Sequence, residues 1–234
     1  MSKKPMVTKS HLVAKFSDFF SLLNERQQNE FVDEVIVEQY KGNDCVYEEG
    51  DVPNYLFFLY SGKAKISKKG IANKTQILRL VNSGDFFGYR DYFANKNYVT
   101  SCVVFENSIV CKVNFTTIDK LINEEPHIGL YFSNKMAQAI GHLEERVTGL
   151  TQKHVRGRLA EALILLKETY GVKANGYTLD ISPSRDDLAK ISNMTTANAI
   201  RTLRAFSNEG LISLDGRKIT LINEDEIRSI SRKG

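Results

Sequence analysis

The sequence holds few of the residues that build metal centres and disulfide frameworks. Cys45, Cys102 and Cys111 are its only cysteines, and no two of them form a Cys-x-x-Cys pair; the four histidines form no close pair either. Metal sites usually take ligands at short, regular spacings, so we expect reduced cysteines and no metal. A cupin-like β-barrel enzyme would need clustered metal ligands, and no nucleophile–base arrangement is visible, so we predict that the chain is not an enzyme.

Long apolar segments are also absent. No run approaches the roughly 18 residues that a membrane-spanning helix needs, and the basic first ten residues are not followed by the apolar core of a signal peptide. These absences predict a cytoplasmic protein with no membrane partner. Hydrophobic residues make up 42% of the 234, which suits a folded protein of two domains.

Charge is nearly balanced, and the small surplus lies at one end. The net charge is +4, and the residues from Thr151 onward hold 14 basic and 10 acidic side chains, which accounts for all of it. A basic surplus confined to one region suits a nucleic-acid-binding domain. A solvated surface can carry the same surplus, so charge alone does not decide the function.

Residues 184–206 have the pattern of two short helices joined by a turn. Ser184 and Asp187 form a capping box, which predicts a helix from Arg185. Residues 192–194 favour a break, and Thr195 can cap a second helix. An apolar stripe then follows at helical spacing, formed by Ala199, Leu203 and Phe206. The pattern predicts a helix-turn-helix, whose second helix would enter the major groove of DNA.

The residues after this pair predict a β-hairpin. Gly210 can end the second helix. Two apolar-rich runs, residues 211–214 and 218–222, flank Asp215-Gly216, a dipeptide favoured in tight hairpin turns. Such a hairpin would be the wing of a winged helix. Before the pair, period-two alternation over residues 177–181 predicts a further strand.

The residues before the C-terminal domain show three successive patterns. Residues 11–40 carry apolar residues at helical spacings, which predicts short helices. Residues 40–113 form short β-rich runs separated by glycines, a pattern typical of a β-roll or barrel. From Pro126 to about Lys153 we predict one long helix with a coiled-coil seam interrupted by Arg146; the seam residues are Phe132, Met136, Ala139, Leu143 and Leu150. This helix would either pair with a second copy or serve only its own chain.

Several segments together resemble a known family. GRLAEALILL, the helix-turn-helix, NEGLIS and DGRKITL resemble the C-terminal domain of the CRP/FNR transcription regulators. YEEGD, LYSGKAKI and NSGDFFG resemble, in order and spacing, the double-stranded β-roll of cyclic nucleotide-binding domains.

The resemblance implies an α+β fold in three parts. A jelly-roll-like β-roll with flanking helices would occupy residues 1–125. A long dimerisation helix and hinge would occupy residues 126–153, and a winged helix-turn-helix residues 154–234. It further implies a homodimer that binds near-palindromic double-stranded DNA, with RNA polymerase as a protein partner and an unidentified small-molecule effector in the roll.

The same resemblance points to particular DNA-binding residues. Arg201 matches a base-contacting arginine of the family, and arginine can bond guanine through two atoms. Thr196 and Ala197 stand where the family carries Arg and Glu, which implies a different preferred DNA sequence. Further contacts to bases or to the phosphate backbone are expected from Thr195, Thr196, Asn198, Ser184, Arg185 and Arg204.

The ligand segment of the family maps onto Gly88, Tyr89, Arg90, Thr100 and Ser101. Tyr89 stands at the position of a ribose-binding Glu, and Val99 at that of the Arg that binds the cyclic phosphate. Valine offers neither charge nor a hydrogen bond, so cAMP is not expected in the usual pose. Arg90 either turns inward to bind an anion or forms a surface ion pair.

Other readings stay open at this point. An iron–sulfur cluster is not expected, because residues 1–44 contain no cysteine. Haem would need an axial ligand from the scattered histidines and cysteines. The chain could also be a cyclic nucleotide-binding regulatory subunit of a kinase or channel, against which the winged-helix pattern argues, or a DNA-binding protein that needs no ligand.

Overall fold

The computed structural model describes residues 7–234, apart from the side chain of Asn73. It begins with three short helices, α1 (Lys9–Lys15), α2 (Ser17–Phe20) and α3 (Glu25–Asp33). The sequence predicted helices through residue 40, but the last part of that region is strand β1 (Ile36–Tyr40). This strand pairs antiparallel with a later one, a distant partner that local spacing does not reveal.

The predicted β-roll consists of two four-stranded sheets. Its further strands are β2 (Cys45–Tyr47), β3 (Tyr55–Ser61), β4 (Ala64–Lys69), β5 (Thr75–Val81), β6 (Phe86–Phe87), β7 (Ser101–Val104) and β8 (Ser108–Asn114), with helix α4 (Tyr89–Phe93) between β6 and β7. One sheet has the order β1-β8-β3-β6 and the other β2-β7-β4-β5. The described pairings within both sheets are antiparallel.

Strand β3 shows how one apolar run serves two cores. Successive side chains of a strand point to opposite faces. Phe57 and Leu59 belong to a cluster shared by both sheets, which also holds Tyr47, Phe87 and Tyr98. Leu56 and Phe58 belong to a second cluster with the flanking helices. A continuously apolar strand is therefore buried on both faces, as its lack of alternation indicates.

The second half of the chain is mostly helical. Helices α5 (Phe115–Glu124), α6 (His127–Gln152) and α7 (Val155–Tyr170) are followed by α8 (Arg185–Ile191), α9 (Thr196–Asn208), β9 (Ile212–Asp215), β10 (Lys218–Leu221) and α10 (Glu224–Lys233). The long helix, the helix pair and the hairpin all occur where they were predicted. Residues 177–181 form isolated bridges instead of the predicted strand, through Leu179 to Val172 and Thr178 to Thr220.

The chain divides into two compact units. The first comprises the described residues up to Lys68 together with Arg79–Ile140, and the second comprises Lys69–Leu78 together with Gly141–Gly234. The end of the β4–β5 hairpin is thus grouped with the C-terminal helices. Within residues 7–234 no helix combines the length and the apolarity required to cross a membrane.

Candidate nucleic-acid interface

Helix α8 begins at the predicted capping box. The Ser184 hydroxyl accepts a hydrogen bond of 3.0 Å from the Asp187 amide, and the Asp187 carboxylate accepts one of 3.2 Å from the Ser184 amide. Two amides that would otherwise lack partners at the helix start are satisfied in this way. Ser184, predicted to contact the DNA backbone, therefore has its hydroxyl engaged in the cap in this structure.

The turn between the two helices is tight. Asn193 adopts a left-handed backbone with φ of +49°, a conformation that asparagine tolerates better than most residues. The Thr195 hydroxyl then accepts a hydrogen bond of 3.2 Å from the Asn198 amide and caps α9. This places the N-terminal turn of α9 directly after the turn, as in a helix-turn-helix.

Helix α9 has one buried and one exposed face. The buried face holds Ala199, Leu203 and Phe206, as predicted, and also Thr202. Four residues at spacings of four, three and four are exposed: Ala197, Arg201, Arg204 and Asn208. These four line a shallow depression together with Ile200 and Ala205. The buried face fixes the orientation of the helix, so the two arginines project from a rigid surface.

Two polar contacts organise the start of this surface. The guanidinium of Arg201 donates a hydrogen bond to the Asn198 side-chain oxygen, one turn earlier on α9. The Thr196 hydroxyl lies 3.5 Å from the carboxylate of Asp186, which also pairs with Lys190 at 2.6 Å. Arg201 is therefore held along the helix, with donors left over for a partner.

Arg185 lies against the wing. It donates a hydrogen bond of 2.7 Å to the main-chain oxygen of Gly216 in the turn between β9 and β10. Burial lowers the pKa of this guanidinium, and the charge of Arg217 lowers it further. Arg185, which was expected to contact the DNA backbone, thus links α8 to the hairpin. Arg204, by contrast, is exposed to solvent on the outer face of α9.

In the β-roll, aromatic rings occupy the neighbourhood of the predicted ligand segment. Gly88 has φ of +83°, and a Cβ atom there would lie 2.8 Å from the Phe57 ring. Tyr98 stacks on Tyr47 with ring centroids 4.0 Å apart, and burial raises the pKa of both phenols. Thr100 is buried, and its side chain forms a hydrogen bond with the Tyr47 side chain. The space beside Gly88 is therefore filled by the protein's own side chains.

The other predicted ligand residues point elsewhere. Tyr89 is buried in the cluster with the flanking helices, 5.2 Å from the Phe132 ring. Arg90 is exposed and pairs with the buried carboxylate of Asp91 at 2.8 Å. The Ser101 hydroxyl accepts a hydrogen bond of 2.9 Å from the Glu49 amide.

Arg146 is a half-buried residue whose role the sequence did not reveal. Its guanidinium donates hydrogen bonds of 2.6 Å to the Ile77 oxygen and 2.9 Å to the Ile191 oxygen. Gln76 also donates to the Ile191 oxygen, at 3.4 Å. Burial lowers the pKa of Arg146, and the charge of Glu161 opposes that shift. The only signal in the sequence was the interruption of the apolar seam.

Two family models match the chain. The model for a cyclic nucleotide-binding domain matches residues 37–125, and the model for a Crp-like helix-turn-helix domain matches residues 157–230. The chain belongs to the CRP/FNR family. This CRP/FNR chain is therefore a transcription regulator with a cyclic nucleotide-binding domain and a DNA-binding helix-turn-helix, which confirms the family predicted from the sequence.

Known proteins align over most of this CRP/FNR chain. The cAMP-activated global transcriptional regulator CRP of Salmonella typhimurium is 22% identical, over 82% of this chain and 91% of that protein. The structure of FixK2 from Bradyrhizobium japonicum has a TM-score of 0.75 at 18% identity, covering 84% and 96% of the two chains. The structure of the c-di-GMP responsive global regulator CLP of Xanthomonas campestris has a TM-score of 0.74 at 17% identity, and the match covers 85% of this chain and 99% of that one.

Of these relatives, the CRP of Salmonella typhimurium and the CLP of Xanthomonas campestris are regulators. Among residues 7–234, no three His, Cys, Asp or Glu side chains are grouped so that they could hold a metal ion. Cys102 and Cys111 are buried, and Cys45 is exposed.

Proposed function

We propose that the chain is a cytoplasmic, homodimeric regulator that reads a near-palindromic site in double-stranded DNA, with RNA polymerase as its protein partner. The exposed face of α9 carries the proposal. That face presents Arg201 and Arg204 from a helix whose opposite side is buried. A recognition helix needs this combination, because base-reading side chains must be held rigidly by the fold behind them.

Exposed apolar residues on α6 support the dimer. Ile140, Leu143 and Val147 are 58%, 48% and 51% exposed, at spacings of three and four. These three residues form a stripe along one side of the helix, as in a coiled-coil seam. A second α6 related by a two-fold axis would remove the stripe from water. Such symmetry would set two α9 helices about 34 Å apart, in successive major grooves.

The DNA contacts divide by chemistry. Arg201 is the proposed guanine reader, since its guanidinium can donate to O6 and N7 together. Thr195, Thr196 and Asn198, at the start of α9, are proposed to contact bases or phosphates. Ser184, Arg185 and Arg204 are proposed to contact phosphates, which adds affinity without sequence choice. The last group requires Arg185 to exchange its bond with Gly216 for a phosphate oxygen.

Control through the β-roll is proposed to use an effector other than cAMP in the usual pose. Val99 cannot supply the charged donor that a buried phosphate needs. The stacked Tyr47 and Tyr98 rings beside Gly88 favour a second candidate, a regulator that binds DNA without a ligand. The match of residues 157–230 to a helix-turn-helix domain argues against a kinase or channel subunit.

Selection from a random duplex pool with the full-length protein tests the proposed function. We expect enriched sites with two inverted half-sites whose centres are about 10 base pairs apart. Enrichment without inverted symmetry would contradict the two-fold dimer, and no enrichment at low salt would contradict DNA reading itself. Affinity for the enriched site should stay within about twofold when cAMP is added, whereas a large increase would contradict the view that Val99 abolishes phosphate binding.

A further inference from the structure

The N-terminal turn of α9 presents an apolar group where polar readers would be expected. Ala197 is the second residue of the helix, and its side chain is exposed. It lies on the same face as Arg201, and both line one shallow depression together with the half-buried Ile200. Because the first turn of a recognition helix enters the groove most deeply, the Ala197 methyl group would be brought to the base edges.

The chemistry of the major groove leaves one partner for such a group. Adenine, guanine and cytosine present donors and acceptors there, whereas thymine also presents a C5-methyl group. A methyl side chain placed against a donor or an acceptor removes water from it and offers no hydrogen bond in return, which is unfavourable. Placed against the thymine methyl, it buries apolar surface on both sides, which is favourable.

The helix geometry sets the distance between this contact and the guanine contact. Ala197 and Arg201 are four residues apart, which is about 6 Å along the helix axis. Successive base pairs rise by about 3.4 Å. The hydrogen bond that the Arg201 guanidinium donates to the Asn198 side-chain oxygen holds the guanidinium along this face of the helix. The two contacts therefore fall within about two base pairs of each other.

We propose that Ala197 determines specificity for thymine, through its methyl group, one or two base pairs from the guanine read by Arg201. The inference rests on the proposed DNA-reading function and adds a named base to it. Ile200 widens the apolar floor of the depression, so that the thymine methyl is enclosed by more than one side chain.

Replacing thymine by uracil removes only the C5-methyl group and so tests the contact directly. The experiment uses the full-length protein and a duplex chosen from a random pool for tight binding. Each half-site thymine is replaced by uracil in turn, symmetrically in both half-sites. For the wild type we expect one position at which affinity falls about threefold to fivefold per half-site, the effect of one buried methyl group.

The same pair of duplexes is then measured with Ala197→Gly. We expect weaker binding overall but a thymine-to-uracil affinity ratio close to one at that position. The ratio cancels any loss of helix stability caused by glycine, because both duplexes meet the same protein. Ala205→Gly is the matched control: it changes another alanine that lines the depression, two turns later, and should keep the wild-type ratio.

Three results would overturn the proposal. One is sequence-selective binding in which the wild type is indifferent to uracil at every thymine. Another is an unchanged thymine-to-uracil ratio in Ala197→Gly, which would assign the methyl contact to a different residue. In both cases the regulator function survives. A complete lack of sequence-selective binding would instead contradict the regulator function, and this inference with it.

Discussion

The guanidinium of Arg146 donates a hydrogen bond of 2.9 Å to the main-chain oxygen of Ile191, the last residue of α8. The same nitrogen lies 2.6 Å from the main-chain oxygen of Ile77 on β5. A cation near the C-terminal end of a helix interacts favourably with the carbonyl groups exposed there. Arg146, the residue that interrupts the apolar seam of α6, therefore links the long helix to the helix-turn-helix by a hydrogen bond.

Loss of this tether should destabilise the second unit. Arg146→Met keeps most of the side-chain volume but leaves two carbonyl oxygens without their charged donor. We expect the free energy of unfolding to fall by about 1–3 kcal/mol, measured by urea denaturation. Arg204→Met makes the same chemical change on the exposed face of α9 and should cost less than about 0.5 kcal/mol. If both variants lowered the free energy of unfolding equally, the hydrogen bonds of Arg146 would add nothing to stability beyond what an exposed arginine adds.

A charge on the exposed stripe of α6 should separate the proposed dimer. Leu143→Glu would place a carboxylate from each copy in an apolar contact, where its desolvation is uncompensated. We expect the dimer dissociation constant to rise at least about 30-fold, which corresponds to about 2 kcal/mol, measured by sedimentation equilibrium. Gln138→Glu adds the same charge at an exposed polar position of α6 and should leave the constant nearly unchanged.

An unchanged constant in Leu143→Glu would contradict the α6 dimer. The structure would then require another explanation for three exposed apolar residues in one stripe. Circular dichroism of the variant should match the wild type, since Leu143 is already half exposed and a substitution there removes little of the chain's own packing.

Stability should decline in mild alkali because of a buried thiol. Burial raises the pKa of Cys111 to about 12, whereas the pKa of a cysteine in the unfolded chain is about 8.5. As pH rises above about 8.5, the unfolded state loses a proton that the folded state keeps, so the free energy of unfolding falls. Between pH 7.5 and 9.5 the fall should be about 1.4 kcal/mol smaller in Cys111→Ala than in the wild type. Equal falls, measured by urea denaturation, would contradict the raised pKa.

Local chemistry explains why the DNA-binding region could be predicted. The Ser184–Asp187 capping box and the Thr195 cap act within a few residues, and both occur as expected. The hairpin also forms, but its two-residue turn is Gly216-Arg217, because Asp215 still pairs with Lys218 as the last residue of β9. The inward stripe of α9 also follows from sequence spacing alone. Such features require no knowledge of distant partners, since the interacting atoms are close along the chain.

Other features depend on partners far away in the sequence. The bonds of Arg146 join residues 69 and 45 positions away. Arg185 meets Gly216 only because the wing folds back onto α8. Residues 177–181 alternate like a strand, yet their partner residues provide only isolated bridges. Spacing can indicate a buried or exposed face in such cases, but the contact is determined by tertiary packing.

Binding of Arg201→Ala to the enriched duplex tests the central claim most directly. Full-length wild type and variant are compared by fluorescence anisotropy at one salt concentration. The account predicts that Arg201→Ala binds about 5- to 150-fold more weakly, a loss of roughly 1–3 kcal/mol, and loses its preference at a single guanine of each half-site. Equal affinity and equal base preference in the two proteins would contradict the assignment of α9 as the DNA-reading helix.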